Sequence, residues 1–188
     1  MARNIQEQTG SLTHQPKEDT MLHAFTAKEH GKIFDSIKFL ATATAKNPVY
    51  NSKFSTVIKV ENRVGVATDG SRLHHAIDVA LPNGCYQPVK NTKTTVHLVE
   101  VENVDFPGWQ QLPLDPECRE TIDIVDADLD HISFAIARNT HKDVVFNLEY
   151  LKPLCDDMWT VHLDPHNGPL VAKNCTKTAL VMPRRRQY

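Results

Sequence analysis

The stretch that most limits what this chain can fold into is 64–75, Val-Gly-Val-Ala-Thr-Asp-Gly-Ser-Arg-Leu-His-His. Val64, Val66 and Thr68 fall on one side of a period-two pattern and Gly65 and Ala67 on the other, as in a strand with one face in a core. Asp69-Gly70 breaks the pattern, because glycine supplies the positive backbone angle that a tight turn requires. From Arg72 an extended, β-branched pattern resumes to position 79. The unit reads as strand, sharp turn, strand, and it commits this part of the chain to an antiparallel sheet.

A chain of 188 residues can bury one sizeable core, so a single domain is expected over 21–183. Its net charge of −2 gives no overall field that attracts nucleic acid, and any such contact needs a local basic face. Cys85, Cys118, Cys155 and Cys175 stand far apart with no Cys-x-x-Cys pair, which indicates neither a zinc site nor a disulfide framework. No metal and no cofactor is expected. No apolar run is long enough to span a bilayer and the N-terminus lacks a signal-peptide core, so the expected location is the cytoplasm.

Residues 1–20 carry almost nothing to bury and read as a disordered tail, and 21–25 as a first strand. Thr26-Ala27-Lys28-Glu29 is a capping box that announces a helix to about 44, stopped by Asn47-Pro48. Its apolar stripe is Ile33, Phe34, Ile37, Leu40 and Ala41. The opposite face gathers Lys28, Lys32, Asp35, Phe39, Thr42 and Lys46, and Phe39 fits poorly among solvated groups. Strands are expected at 54–60, 63–68 and 72–79, followed by a hairpin of 85–90 with 94–101 around Asn91-Thr92. His74 and His75 must point to opposite sheet faces and cannot chelate one metal through neighbouring positions.

Residues 106–116 are proline-rich and irregular, although Phe106 and Trp109 should pack somewhere. Strands are expected at 121–125 and 131–137, with Asp123, Asp126, Asp128 and Asp130 forming an acidic turn that lacks the glycine and glutamate of a calcium-binding loop. A short strand at 144–146 leads to a second helix N-capped by Asn147, shortened or kinked by Pro153 and bearing Lys152 among acidic residues. Three strands at 159–164, 170–173 and 177–182 close the chain, and 184–188 read as a loose basic end. Helix plus three strands thus occurs twice, with an inserted β region at about 81–142.

Three matches in family-like order, the second of them in two parts, resemble the bacterial DNA polymerase III β subunit, the sliding clamp. Ala67-Thr68-Asp69-Gly70-Ser71-Arg72-Leu73 is similar to that family's Ala-Thr-Asp-Gly-His-Arg-Leu segment. Phe146-Asn147-Leu148-Glu149-Tyr150-Leu151 resembles its Phe-Asn-x-x-Tyr-Leu helix start, and Val181-Met182-Pro183-Arg184 its Val-Met-Pro-Met-Arg terminus. Phe106-Pro107-Gly108-Trp109, followed by Leu112-Pro113, is similar to its Phe-Pro-Asp-Tyr linker. The resemblance implies an α+β, DNA-clamp-like fold of two helix-plus-three-strand halves with antiparallel sheets.

It further implies a non-catalytic processivity or accessory factor. Such a factor binds short peptides of DNA polymerase or other replication proteins, and encircles DNA as a homo-oligomer. A groove for those peptides would map onto Thr68, Gly70, Arg72, Leu73, Val181, Met182 and Pro183, with Pro113 if one linker residue is missing. In the family those two halves of the groove come from adjacent domains, so a one-domain chain would complete it only between subunits. Inner-wall contacts to the DNA backbone, independent of sequence, would map onto Lys28, Lys32, Lys46 and Lys152. The alternatives are a clamp-fold adaptor that does not encircle DNA, and a metal-dependent hydrolase in which His97, His141, His162 and His166 converge.

Overall fold

The computed structural model describes residues 21–49, 52–112, 114, 120–140, 144–155, 157–164 and 168–185. The first half of the chain holds β1 (Leu22–Thr26), α1 (Ala27–Thr42), β2 (Ile58–Glu61), β3 (Val64–Thr68), β4 (Arg72–Ala76), β5 (Gly84–Asn91) and β6 (Thr95–Glu100). The second holds β7 (Glu120–Val125), α2 (Leu129–Arg138), β8 (Val144–Val145), α3 (Leu148–Leu151), β9 (Met158–Leu163), β10 (Leu170–Lys173), β11 (Lys177–Val181) and β12 (Arg184–Arg185). Ten strands form one antiparallel sheet in the order β1-β6-β5-β2-β3-β4-β11-β10-β9-β7, and β12 pairs with β8 apart from it.

The α+β class and the antiparallel character are those expected, but the strand plan differs. The hairpin β5–β6 is no appendage: β5 pairs with β2 and β6 with β1, so it fills the sheet between the first two strands of the chain. Residues 54–57 do not begin a strand, because the Ser55 and Thr56 hydroxyls donate to the Ser52 and Lys53 carbonyls and hold a 3-10 turn at Lys53–Thr56. Arg184–Arg185 pair with Val144–Val145 rather than trailing free.

The segment expected as a strand at 131–137 is helix α2. Ile132, Phe134 and Ile136 alternate as a strand would, but Ile132 and Ile136 also lie four apart, and the Asp128 carboxylate accepts from the His131 N–H at 2.9 Å as an N-cap. Phe134 decides between the two readings, for it is 65% exposed while its two neighbours in the pattern are buried. The expected second helix at 147 is only one turn, passing into a 3-10 turn at Lys152–Leu154 where Pro153 withholds its donor.

Helix α1 starts as the capping box requires, with Thr26 Oγ1 accepting from the Glu29 N–H and donating to the Glu29 carboxylate. It is interrupted at Gly31 (φ 45°), so Lys28 and Lys32 do not share one helical face, and Lys46 lies beyond the helix end. Phe34, Ile37, Leu40 and Ala41 enter the core of the first half. Leu40 packs so close to β3 that a Cβ on Gly65 would stand 2.5 Å from its Cδ1. Phe39, on the other side of the helix, enters the core of the second half with Trp159 and Leu154. One helix therefore joins both cores, which is why its supposed solvent face carries an aromatic ring.

Candidate partner-peptide site

The site begins at the β3–β4 turn, whose apex is held by side-chain hydrogen bonds to its own backbone. Thr68 Oγ1 donates to the Arg72 carbonyl at 2.6 Å and accepts from the Gly70 N–H, while Asp69 Oδ1 accepts from the Ser71 and Arg72 N–H groups. Gly70 takes φ 88°, the angle read from the Asp-Gly pair. The other carboxylate oxygen, Asp69 Oδ2, accepts from Arg72 Nε at 3.0 Å, and both side chains are nearly buried at 11% and 13% exposure. Such a pair is held by geometry as much as by charge.

Strand β11 then brings the far end of the chain to this turn. Leu180 lies opposite Leu73 and Val181 opposite Arg72, and the Met182 N–H continues the ladder to the Ser71 carbonyl at 2.9 Å. Two segments that lie more than a hundred positions apart in sequence thus meet within one chain, not between subunits. The register also separates the expected groove residues. Arg72, His74 and Val181 point to the face that carries the helices, whereas Leu73, His75 and Leu180 point to the other.

On the helix face, Arg72 lays its guanidinium 4.4 Å from the centre of the Tyr150 ring, on α3. This contact joins two of the segments noticed in the sequence, and Tyr150 was missed because its segment was read only as a helix start. Val181 is fully buried there in the core of the second half. Next along β4, His74 is fully buried with its ring stacked on Phe39 at 4.1 Å. Its Nδ1 lies 2.7 Å from the Phe39 carbonyl, so Nδ1–H is the donor. Burial first, and the Arg72 charge second, hold its pKa at about 3 against that bond, which favours the charged form.

On the opposite face Leu73, Leu180, Val66 and Val171 form a small apolar cluster, covered by Phe106, Trp109 and Leu114 of the segment that follows β6. His75 lies under Trp109, ring centres 5.4 Å apart, and burial lowers its pKa with a smaller push from Lys173. Beyond the end of β11, Met182 is 45% exposed and Pro183 half-buried. Thr68 and Leu73 are buried and Gly70 is exposed. Pro113 lies outside the described residues.

The lysines expected to meet DNA do not gather. Lys28, Lys32 and Lys46 are exposed on separate segments, and Lys152 is paired with Glu149 at 2.6 Å. Lys32 lines an open concavity of about 1850 Å³ between α1 and the end of β9–β11, but so do Asp35, Asp123 and the ion pairs Arg63–Asp78 and Lys177–Asp157. That surface is of mixed charge.

In the acidic cluster Asp128 caps α2, its carboxyl held low first by the His131 N–H, and Asp123 accepts from the Thr160 hydroxyl. Among the described residues no group of three or more His, Cys, Asp or Glu is placed to hold a metal ion. His97 on β6 and His162 on β9 stand seven strand spacings apart, about 34 Å along the sheet. They do not converge; His141 and His166 lie outside the described residues. No helix among the described residues is long and apolar enough to cross a membrane.

One long antiparallel sheet with a few helices on a single face and strand–helix units opening both halves defines an α+β class. Solved structures of the same build are DNA polymerase sliding clamps. The clamp of Pseudomonas aeruginosa superposes with a TM-score of 0.52 at 13% identity, over 88% of this chain and 67% of the clamp chain. For the Thermotoga maritima DNA polymerase III β subunit the values are 0.51 and 13%, over 96% and 69%, and for the Streptococcus pneumoniae β chain 0.54 and 12%, over 96% and 68%. At such identities the likeness is one of fold, and the chain spans about two thirds of these clamps. No protein-family model matches the sequence, and no curated protein does.

Proposed function

We propose that this protein is a non-catalytic, sliding-clamp-like accessory factor of DNA replication that holds a short peptide of DNA polymerase or another replication protein at the end of β4 and β11. The observation that carries this reading is the register of β4 on β11, extended by the Met182–Ser71 hydrogen bond, which unites the two segments that resemble the clamp's peptide groove. Met182, exposed, and Pro183, half-buried, offer apolar anchorage at the end of the covered Leu73–Leu180 cluster. Thr68, Gly70 and Arg72 hold the turn in shape, and Val181 packs behind it.

Self-association rests on the two sheet edges. Neither β1 nor β7 has a second strand partner among the described residues, and Leu22 beside one edge and Val125 on the other are more than half exposed. Pairing β1 of one copy with β7 of the next would continue the sheet head to tail into a closed assembly around DNA, with Lys28, Lys32, Lys46 and Lys152 as candidate phosphate contacts. A second reading, an adaptor that binds peptides without encircling DNA, is favoured by one observation. Glu120 and Asp123 charge the β7 edge, as edges that avoid pairing often are.

Fluorescence anisotropy with a labelled C-terminal peptide of a replicative DNA polymerase tests the peptide site. Met182→Asp is expected to weaken binding about tenfold or more, and equal binding by wild type and variant contradicts the assignment. Native mass over a concentration range, with and without duplex DNA, separates the ring from the adaptor. A concentration-independent monomer in both conditions rules out the ring.

A further inference from the structure

The apolar cluster on the Leu73–Leu180 face is covered by side chains from residues 101–112 and 114. Phe106, Trp109 and Leu114 lie across Val66, Leu73, Val171 and Leu180, with further ring contacts to Phe54 and His75. Val101 makes the last backbone hydrogen bond to the sheet, to the Cys85 carbonyl. After it the hydrogen bonds of the described strap residues are internal, Leu112 N–H to the Trp109 carbonyl and Leu114 N–H to the Leu112 carbonyl. None of its described side chains donates to or accepts from β3, β4, β10 or β11.

A segment held by side-chain packing alone opens at a fraction of the cost of opening the sheet. When it lifts, it uncovers an apolar face continuous with exposed Met182. The seated side chains, two aromatic rings and a leucine on a segment that turns through a 3-10 helix at Trp109–Gln111, define the chemistry that fits there.

We infer that residues 101–112 with Leu114 form a displaceable strap that occupies, in cis, the face where a partner inserts a short segment with aromatic and leucine-like anchors. This inference rests on the peptide-binding reading above and specifies its ligand: the partner replaces Phe106, Trp109 and Leu114 on the Leu73–Leu180 cluster. The strap then sets affinity, because each binding event must displace it.

Two measurements on the full chain test the inference separately from that reading. Val171→Cys places a thiol under the strap, where Val171 is fully buried, and native Cys85, also buried but on β5, serves as the internal reference. With each rate normalised to that in the unfolded chain, the thiol of Val171→Cys is expected to react about a hundredfold faster than Cys85 under native conditions. Equal rates mean that the face opens no more readily than the sheet around Cys85, and they overturn the strap whatever binds at Met182.

The second probe is a labelled synthetic peptide of residues 104–115, the strap's own sequence. The triple variant Phe106→Ser, Trp109→Ser, Leu114→Ser is expected to bind it about tenfold more tightly than wild type. Fast labelling at Val171→Cys with no gain in peptide binding overturns the face as a partner site. A gain that Met182→Asp does not reduce supports the strap and counts against the groove reading at Met182.

Discussion

The two faces of β4 are built by opposite means although their residues alternate along the same five positions. On the helix face, Arg72 is tied to Asp69 and stacked on Tyr150, and His74 is tied to the Phe39 carbonyl and stacked on its ring. On the other, Leu73 and His75 meet the strap only through apolar and ring contacts. Polar bonds fix a position because leaving one unmade in a buried site is expensive, whereas apolar contacts are exchangeable for others of similar shape. The difference teaches where a partner can enter: against the face whose cover can be substituted, not against the one whose cover is bonded.

Acid should strike the fixed face hardest. The unfolded chain takes up a proton near pH 6.5 that folded His74 refuses until about pH 3. The contribution of neutral His74 is therefore complete above pH 6.5 and lost as pH falls toward 3, about 5 kcal/mol in all. Urea denaturation between pH 7 and 3.5 should show this decline, and His74→Asn should flatten it. A decline of the same size in His74→Asn would mean that other groups carry it.

Asp69→Ala should cost about 3 kcal/mol in the same assay, since it removes the carboxylate that accepts from two backbone N–H groups and strands the nearly buried Arg72 cation. A loss below about 1 kcal/mol would show that the turn is not fixed as described. On the strap, Trp109→Ala should cost only about 1 kcal/mol, because the half-buried ring rests on His75 and the cluster without a polar bond. If that variant proved as damaging as Asp69→Ala, the contrast between the faces would fail. Smallest of all, Leu112→Ala should leave stability within about 0.5 kcal/mol, its side chain being 41% exposed.

How far the sequence carries this account depends on how local each signal is. The β3–β4 turn and the β5–β6 hairpin were legible because Asp-Gly, Asn-Thr and period-two alternation act over a few residues. The opposite faces of His74 and His75 followed from the same period. Helix α2 was misread because Ile132, Phe134 and Ile136 satisfy both periods, and Asp128, the cap that settles the matter, was counted as part of an acidic turn.

Contacts set by sheet order were beyond reach. Nothing in either segment announces that β11 lies beside β4, that β5–β6 sits inside the sheet, or that Tyr150 covers Arg72. Phe39 was the visible anomaly, and its cause is equally non-local: the helix is buried on a second side by the other half of the chain. Matching Leu73 and Val181 to one groove failed for a simpler reason. The register pairs Leu73 with Leu180, and a shift of one residue moves a side chain to the other face.

The chain has two tryptophans, one on each face, and this makes the most direct test possible. Trp109 belongs to the strap, and Trp159 is buried in the core of the second half beside Phe39. In a nitrogen-15 NMR titration of the full chain with the polymerase-derived peptide, the account predicts that the Trp109 indole N–H and the Met182 amide shift together while the Trp159 indole stays in place. Saturable binding that moves Trp159 and the Arg72 guanidinium but leaves Trp109 unmoved would contradict it.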